Sequence, residues 1–388
     1  MIIYGFEFSI FELIFSGILL LAFIHQLYFY LHYINLVHFY KKKLKKNAEP
    51  KLNVDVPVSI IICGKDEIQN LQKFLPSVLI QDYPNFEVIV VNDGSTDETG
   101  FYLEGLKKIY SNLRKTFVPA EATNLSTKKL ALTLGIKAAK NDWLLFTDAD
   151  CMPEENTWLQ RMANNFNPGI EFVLGYGAYF NRKSYVNKLI TYDTLFNSLQ
   201  FLGFAYQGKP YMGVGRNMAY RKEVFFRQKG FASYLHLRSG DDDLIVNRGA
   251  NKFNTKIEIA PDSITLSEPK KNFKEWILQK ERHLSVSSYY SPKSRFQIAV
   301  EPFTRGLFYL MLIFSAVFGN IITLIPISFL FVVRFIVQLS IINKSAHHFG
   351  ERRYFLSIPF FDIILPLINL YLLIFGKMGS KSRNIRWK

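Results

Sequence analysis

Two aspartates stand one residue apart at the end of an apolar segment. The segment reads LLFTDADC, residues 144–151, and the pair is Asp148 and Asp150. Residues i and i+2 of an extended chain point the same way, so both carboxylates would face one point. Carboxylate oxygens suit Mg²⁺ or Mn²⁺, often together with phosphate oxygens. Such a pair also arises by chance at a solvated strand end, so the rest of the sequence must distinguish these interpretations.

Two further strand-like segments also end in acids. The β-branched run at residues 58–62 is followed by Asp66 and Glu67, and the run at 86–91 is followed by Asp93. Parallel strands bring their carboxyl ends to the same edge of a sheet, where α/β proteins bind their ligands. Three acidic strand ends therefore favour a binding site over simple solvation.

Helical patterns separate these strands and would position their ends. One follows the first strand, a second runs from NDGSTDET towards Tyr110 with Ser95 or Thr96 as N-cap, and a third covers 128–139 before the strand WLLFTD. Strands that alternate with helices predict an α/β domain with a mostly parallel sheet. The third helix opens with Lys128, where an ammonium and backbone amides can both meet phosphate.

The N-terminal region is apolar enough to enter a membrane. Residues 8–33 contain one formally charged residue, Glu12, and are long enough for a spanning helix. The lysine cluster KKKLKK, residues 41–46, follows directly, and lysines beside a span mark the cytoplasmic side. We therefore expect an integral protein of the inner or plasma membrane, with its N-terminus outside and its catalytic domain in the cytoplasm.

The C-terminal third holds further apolar runs, at residues 306–318, 321–342 and about 354–375. The polar segment 343–353 and the tail GKMGSKSRNIRWK are both basic and both favour the cytoplasm. Three complete spans after the catalytic region would place the tail outside. Either the last run is re-entrant or interfacial, or an earlier run is not a full span.

Composition narrows the remaining classes. The net charge of +15 fits lipid headgroups, nucleotide phosphates or nucleic acid. The basic residues cluster at the membrane borders and no nucleic-acid motif is present, so we expect no nucleic-acid partner. Two cysteines, Cys63 and Cys151, cannot form a disulfide framework. The predicted organisation is a transmembrane helix (1–40), a basic linker (41–55), a catalytic domain (56–300) and a membrane region with a basic tail (301–388).

In their order along residues 56–290, the motifs resemble those of family 2 glycosyltransferases. The stretch QDYPNFEVIVVNDGSTDET is the most specific match. The resemblance implies a GT-A-type, Rossmann-like domain, flanked here by N- and C-terminal transmembrane helices, that uses a nucleotide-diphospho-sugar. It also implies a hexosyl- or N-acetylhexosaminyltransferase of cell envelope polysaccharide or glycolipid biosynthesis.

The resemblance assigns residues on the donor side of the site. Lys128 matches the lysine of a G-K-x-x-A-L pattern, although Thr127 replaces the glycine. Asp148 and Asp150 match the metal-binding D-x-D, which implies Mg²⁺ or Mn²⁺. The donor-binding residues implied are Asp66, Glu67, Asp93, Lys128, Asp148 and Arg282.

The resemblance also assigns a base and an acceptor side. In SGDDDL, Asp242 corresponds to the general base and Asp241 to the usual glutamate. The acceptor-side residues implied are Gly215, Asn217, Gln279 and His283. His283 replaces the tryptophan of the Q-x-x-R-W motif, which argues against extrusion of a polysaccharide through the membrane.

The expected reaction is an inverting, metal-assisted transfer of a sugar to a membrane-associated lipid or glycan. The expected donor is a UDP-sugar, because such donors are common in the family that the sequence resembles. Two alternatives stay open. A polyprenyl-phosphate glycosyltransferase would use the same donor chemistry, and a catalytically inactive membrane scaffold would keep the fold without the reaction.

Overall fold

The computed structural model describes residues 2–3, 6–7, 10–46, 56–119, 127–237 and 239–379. The strands are β1 (Ile2–Ile3), β2 (Phe6–Glu7), β3 (Val58–Gly64), β4 (Phe86–Asn92), β5 (Leu113–Phe117), β6 (Trp143–Phe146), β7 (Cys151–Pro153), β8 (Phe172–Gly175), β9 (Gly177–Tyr179), β10 (Met218–Arg221), β11 (Thr255–Glu258) and β12 (Thr265–Ser267). The α-helices are α1 (Ile10–Phe29), α2 (Leu36–Lys46), α3 (Ile68–Leu79), α4 (Thr99–Lys107), α5 (Thr127–Ala138), α6 (Trp158–Ala163), α7 (Tyr185–Tyr206), α8 (Lys222–Arg227), α9 (Asp243–Gly249), α10 (Phe273–Val286), α11 (Pro292–Phe318), α12 (Ile321–His348) and α13 (Ser357–Gly379).

A seven-stranded sheet organises the catalytic region, in the order β11-β8-β10-β6-β3-β4-β5. All neighbouring strands run parallel except β10, which is antiparallel to both β6 and β8. A smaller sheet, β7-β12-β9, lies next to it. The predicted α/β class with a mostly parallel sheet is confirmed.

The sheet is buried on both faces, which explains its near-continuous apolar strands. Every residue of β3 is buried, as is the centre of β4. Helix α5 packs closely on one face because Gly135 has no side chain: a Cβ there would lie 2.9 Å from side-chain carbons of Ile61 and Val91. This close packing sets the position of Lys128, which lies in the first turn of α5.

One local prediction is wrong. Helix α4 begins at Thr99 with Glu98 as N-cap, and neither Ser95 nor Thr96 caps it. Both side chains instead bond to the preceding loop, which competes with a capping role. The lysine cluster of the predicted basic linker is helical, because α2 continues through Lys46. Residues 47–55 of the predicted linker lie outside the described residues.

Four helices are long and apolar enough to cross a membrane, within the described part of the chain. They are Ile10–Ile34, Pro292–Phe318, Ile321–His348 and Ser357–Gly376. The first combines α1 with a π-helical turn, Tyr30–Ile34. The predicted N- and C-terminal transmembrane helices around the α/β domain are therefore confirmed as candidate spans.

The membrane-side helices share a hydrophobic core with the catalytic domain. That core extends in sequence from Phe29 at the end of α1 to Leu365 in α13. Helix α7 approaches the π-helical turn so closely that a Cβ at Gly203 would collide with the carbonyl oxygen of Tyr33. The aromatic side chains of α7 therefore pack at this junction, as Phe204 does against Phe29.

Candidate donor-sugar site

The carboxyl ends of β3, β4 and β6 meet at one edge of the sheet, as expected. Asp66 follows β3 with φ 53°, and its Oδ1 accepts a 2.7 Å hydrogen bond from the Thr96 amide in the loop after β4. That bond, followed by the one from the Thr96 hydroxyl, lowers the pKa of the exposed Asp66 carboxyl. Asp93 is 2% exposed, and its amide donates to the carbonyl of Gly64. The loops after β3 and β4 are therefore joined where Asp66 and Asp93 lie.

Asp148 and Asp150 converge through a turn and not along a strand. Strand β6 ends at Phe146, and the amide of Cys151 donates to the carbonyl of Asp148, 3.1 Å away. One ligand atom from each of Asp148, Asp150 and Cys151 lies within 4.8 Å of the others. The expectation of an extended D-x-D is therefore wrong, although its two carboxylates do face one point.

The sulfur of Cys151 is the weakest of these three ligands. Its Sγ lies 2.8 Å from the Ser267 hydroxyl, and burial raises the pKa of the thiol well above its ordinary value. A neutral thiol is a poor ligand for hard ions, which prefer oxygen. The two carboxylates fit Mg²⁺ or Mn²⁺ and leave coordination positions for phosphate oxygens.

Negative charge accumulates at this point. Burial raises the pKa of Asp150, and the charge of Asp148 raises it further. Burial likewise raises the pKa of Glu67, with smaller contributions from Asp150 and Asp148. Neighbouring carboxylates repel one another and so raise one another's pKa, and a bound cation would offset that repulsion, so the electrostatics agree with the ligand geometry.

Lys128 connects the metal-binding pair to the SGDDDL motif. Its Nζ lies 3.4 Å from Asp148 Oδ1 and 3.2 Å from Asp241 Oδ2. Burial opposes its charge, but Asp148, Asp241 and Asp242 together raise the pKa of the ammonium well above its ordinary value. Lys128 is therefore a permanent cation between the two acidic groups.

The three aspartates of SGDDDL have different environments. Lys128 and Lys129 offset the cost of burial and lower the pKa of Asp241. Burial and the charge of Asp241 raise the pKa of Asp242. The Asp242 carboxylate accepts backbone hydrogen bonds from Gly215 at 2.8 Å and from Asp243 at 2.9 Å.

Asp243 is turned away from this pair. Its Oδ2 accepts a 2.7 Å bond from the Tyr290 hydroxyl, and its burial raises its pKa well above the ordinary value. Of the three acids, Asp242 therefore combines a fixed orientation, a raised pKa and an oxygen on the site.

A small cavity confirms that these groups share one space. Its volume is about 20 Å³, enough for one water molecule. Its polar lining includes Lys128, Asp148, Gly215, Asp241 and Asp242.

The expected acceptor-side residues separate into two groups. Gly215 lies at the site through its bond to Asp242, whereas Asn217 is fully buried behind it. The Asn217 amide donates to the carbonyls of Tyr176 and Ser263, and its oxygen accepts from the Trp158 indole. Asn217 therefore joins segments of the scaffold, and its polar atoms are engaged there.

Helix α10 brings the other three motif residues to the cleft. Gln279 donates a 3.1 Å bond to the Tyr179 hydroxyl, and Arg282 lies 3.4 Å from the His283 ring. The charge of Arg282 acts on both Lys128 and Asp243, which places it near the site. Loss of solvation, followed by the charge of Arg282, lowers the pKa of His283, although its side chain is exposed. The surrounding charges therefore favour the neutral form of the ring.

Sequence reasoning missed two basic residues. Lys129, next to Lys128, is 1% exposed, and its ammonium bonds to the carbonyls of Leu237 and Ser239. It therefore holds the loop that precedes Asp241. The only sequence signal was its position next to Lys128.

Arg216 is the second missed residue, between Gly215 and Asn217. It stacks over the Tyr179 ring at 4.3 Å and donates a 2.6 Å bond to the carbonyl of Gly177. Burial and Asp148 raise the pKa of Asp150, and the charge of Arg216 partly opposes them. Arg216 thus adds positive charge beside the metal-binding pair, and its presence inside a glycine-containing motif was the available signal.

Comparison with known proteins places the catalytic region among sugar transferases. A family model described as glycosyl transferase family 2 matches residues 59–227. The poly-beta-1,6-N-acetyl-D-glucosamine synthase of Staphylococcus aureus is 29% identical over 150 residues, 38% of this chain and 35% of the relative. The synthase of the same name from Staphylococcus epidermidis is 31% identical over 138 residues, 35% of this chain and 32% of the relative. The chain thus spans about a third of the length of these curated relatives.

A solved structure agrees over nearly the whole length. It is a mannosyltransferase from Pyrobaculum calidifontis in complex with GDP-Man and Mn²⁺, with a TM-score of 0.58 and 17% identity. The similarity covers 95% of this chain and 100% of the mannosyltransferase chain. At this identity the likeness shows a shared fold, which includes the helices outside the α/β domain.

Proposed function

We propose that this chain transfers a sugar from a nucleotide-diphospho-sugar to a membrane-associated acceptor, with inversion at the anomeric carbon, because residues 59–227 match the model of glycosyl transferase family 2. The observation that carries the proposal is the position of Lys128. Its ammonium contacts both Asp148, at the metal-binding end, and Asp241, beside the proposed base. A diphosphate leaving group and an attacking hydroxyl would therefore meet on either side of this cation.

The leaving diphosphate needs positive charge as the bond to the sugar breaks. Asp148 and Asp150 would hold Mg²⁺ or Mn²⁺, which neutralises developing charge on phosphate oxygens when bound. Lys128 and Arg282 add fixed positive charge at the same place. Asp66, Glu67 and Asp93 line the nearby strand ends and would position the nucleoside part of the donor.

The acceptor hydroxyl must lose a proton as it attacks, and Asp242 is the proposed general base. Its raised pKa brings its proton affinity towards that of the hydroxyl in the transition state. Asp241, whose pKa is lowered, stays ionised next to Lys128 and holds it. A single base and no carboxylate assigned as a nucleophile imply direct displacement and therefore inversion.

The named relatives indicate a donor, and the packing of α10 indicates an acceptor. The staphylococcal relatives are named for a polymer of N-acetyl-D-glucosamine, so a UDP-linked N-acetylhexosamine is the first donor to test. Helix α10, with Gln279 and His283, packs directly on the apolar helix α13. This proximity favours an acceptor that is held at the membrane, either a lipid phosphate or a lipid-linked glycan.

The decisive experiment measures release of nucleotide diphosphate by the full chain in membranes. UDP-, GDP- and dTDP-sugars are offered with radiolabelled sugar, in parallel with polyprenyl phosphate or with a glycolipid extract. We expect one nucleotide class to support transfer, and the labelled product separates a carrier-charging enzyme from one that extends a glycan. Failure of every donor to release nucleotide or label a lipid would instead support an inactive scaffold.

A further inference from the structure

Helix α13 packs differently from the other three apolar helices. Helices α1, α11 and α12 share a core of their own, formed by Leu19, Ala22, Phe23, Phe308, Met311 and Ile327. Among the described residues, no side chain of α13 belongs to that core. Ile358, Phe361 and Leu365 of α13 instead join the core of the catalytic domain.

Both ends of α13 touch the catalytic domain. At its start, the Phe361 ring lies 5.0 Å from the Tyr192 ring of α7. At its other end, a Cβ at Gly376 would lie 3.1 Å from Oε1 of Glu281 in α10. A helix that crossed a bilayer would carry one end about 30 Å away from the domain where the other end is attached.

The other three helices do extend that far. The amide of Asn320, between α11 and α12, donates a 2.9 Å bond to Glu12 near the start of α1. From Glu12 to Gln26 is 14 residues, about 21 Å along a helix. Gln26 then meets Glu301 and Arg334 on the side of the catalytic domain.

Asp362 fixes the depth of α13 at the level of Gln26 and Arg334. Its carboxylate lies 3.1 Å from Arg305 and 2.8 Å from Arg334, the residue that also bonds Gln26. Helix α13 therefore meets the bundle near the end that faces the catalytic domain, about 21 Å from the level of Glu12.

The outer face of α13 is apolar as far as Phe375. Its exposed side chains are Phe360, Ile363, Leu367, Leu370, Tyr371, Leu373, Ile374 and Phe375. The buried stripe, Ile358, Phe361, Leu365 and Leu372, repeats at helical spacing and faces protein. A helix with protein on one side and only apolar side chains on the other requires lipid on its exposed face.

We propose that α13 lies in the plane of the membrane, within the leaflet that faces the catalytic domain, and that α1, α11 and α12 are the only spans among the described helices. The exposed face of α13 is apolar like the exposed faces of these three helices, so acyl chains are its partner. The basic tail then stays on the same side as the lysines of α2. This arrangement removes the conflict between an apolar last helix and two basic cytoplasmic segments.

Depth measurement in vesicles tests the orientation of α13. Single cysteines replace Phe360 and Ile374, which are 14 residues apart on one exposed face, and each carries a fluorophore quenched by lipids labelled at known depths. An in-plane helix gives similar depths for both sites, whereas a crossing helix separates them by about 21 Å. The matched pair Ile325→Cys and Ile336→Cys on α12 should differ by about 16 Å.

Accessibility of the tail is the second, independent measurement. Ser382→Cys should react with an impermeant maleimide from the same side as Lys45→Cys, and Ile321→Cys from the opposite side. The buried thiols Cys63 and Cys151 give the background in the parent chain. Unequal depths on α13, or labelling of Ser382→Cys from the side of Ile321→Cys, would overturn the proposal.

Discussion

The Asp242 carboxylate is held on both oxygens by backbone amides, of Gly215 and Asp243. Asp242→Asn should abolish transfer because the amide cannot accept the hydroxyl proton, while donor binding at Lys128 and Asp148 persists. Transfer by the parent enzyme should rise with pH through a midpoint above the usual aspartate range, since the base works only when ionised. Turnover and nucleotide titration on the purified variant check both expectations.

The control for this variant is Asp82→Asn, an exposed aspartate away from the site. It should leave turnover and donor affinity unchanged. Near-normal turnover in Asp242→Asn would place the base elsewhere.

The metal role of Asp148 and Asp150 gives a separate prediction. Excess EDTA should stop transfer, and Mn²⁺ or Mg²⁺ should restore it, because the leaving diphosphate then regains its counter-charge. Asp150→Asn should raise the Mn²⁺ concentration for half-maximal activity by about tenfold or more, as expected when one charged ligand of a weak oxygen site is lost. Electron paramagnetic resonance of free Mn²⁺ checks binding without relying on activity. Activity that persists in EDTA would remove the metal from the proposal.

Residue types and spacing predicted that these acids lie at one edge of the sheet, because they follow strand ends in an α/β fold. Asp66, Asp93 and Asp148 meet for that reason. Arg216 and Lys129 could not be predicted, since their roles depend on partners such as Tyr179 and Ser239 that only the fold brings close. Asn217 shows the opposite case, where a motif residue serves the scaffold.

Among the elements, the loop between α12 and α13 carries a buried acid that the sequence did not single out. Burial raises the pKa of Glu351 to about 7, against smaller opposing effects of hydrogen bonds from Tyr176 and Tyr354 and of the charges of Arg216 and Arg352. This carboxyl fastens the loop to the sheet through Tyr176.

Stability should therefore depend on pH through Glu351. Its ordinary pKa is 4.5, so between that value and about 7 the folded chain binds more protons than the unfolded chain. The free energy of unfolding due to this group is thus fully favourable below pH 4.5 and falls as pH rises towards 7. Glu351→Gln, which stays neutral, should flatten the decline of Tm over this range. Glu223→Gln, at an exposed site, serves as the control, and an unchanged slope in Glu351→Gln would contradict the assignment.

Elements were predicted best where periodicity and burial coincide. The runs before Asp93 and Asp148 match β4 and β6 to within two residues. The start of α4 was missed because Ser95 and Thr96 bond to Asp66, a contact between loops 29 and 30 residues apart. Local capping rules do not contain such long-range partners.

On the scale of the molecule, one buried charge cluster joins the membrane helices to one another. Asp362 of α13 meets Arg305 of α11 and Arg334 of α12, and Arg334 also bonds Gln26 of α1. Asp362→Asn leaves Arg334 without its counter-charge, whereas Arg305 keeps its ion pair with Glu301. We expect a loss of roughly 3–5 kcal/mol in stability, the usual cost of an uncompensated buried charge.

Thermal unfolding of the solubilised protein measures this loss. The double variant Asp362→Asn with Arg334→Gln also removes the excess positive charge and should recover part of the stability. If the double variant loses at least as much stability as the two single variants lose in total, the two residues do not act as a pair.

The shared core described above has a consequence for biosynthesis. It contains both Phe29 and Leu365, which lie far apart in the sequence. Chains are synthesised from the N-terminus at about 5–20 residues per second, so an emerging domain waits several seconds or more for a late segment. Here the catalytic domain stays open on its membrane side until α13 leaves the ribosome. A transcript cut short before that helix yields a chain with an exposed apolar surface, and the cell has a physical means to recognise it as unfinished.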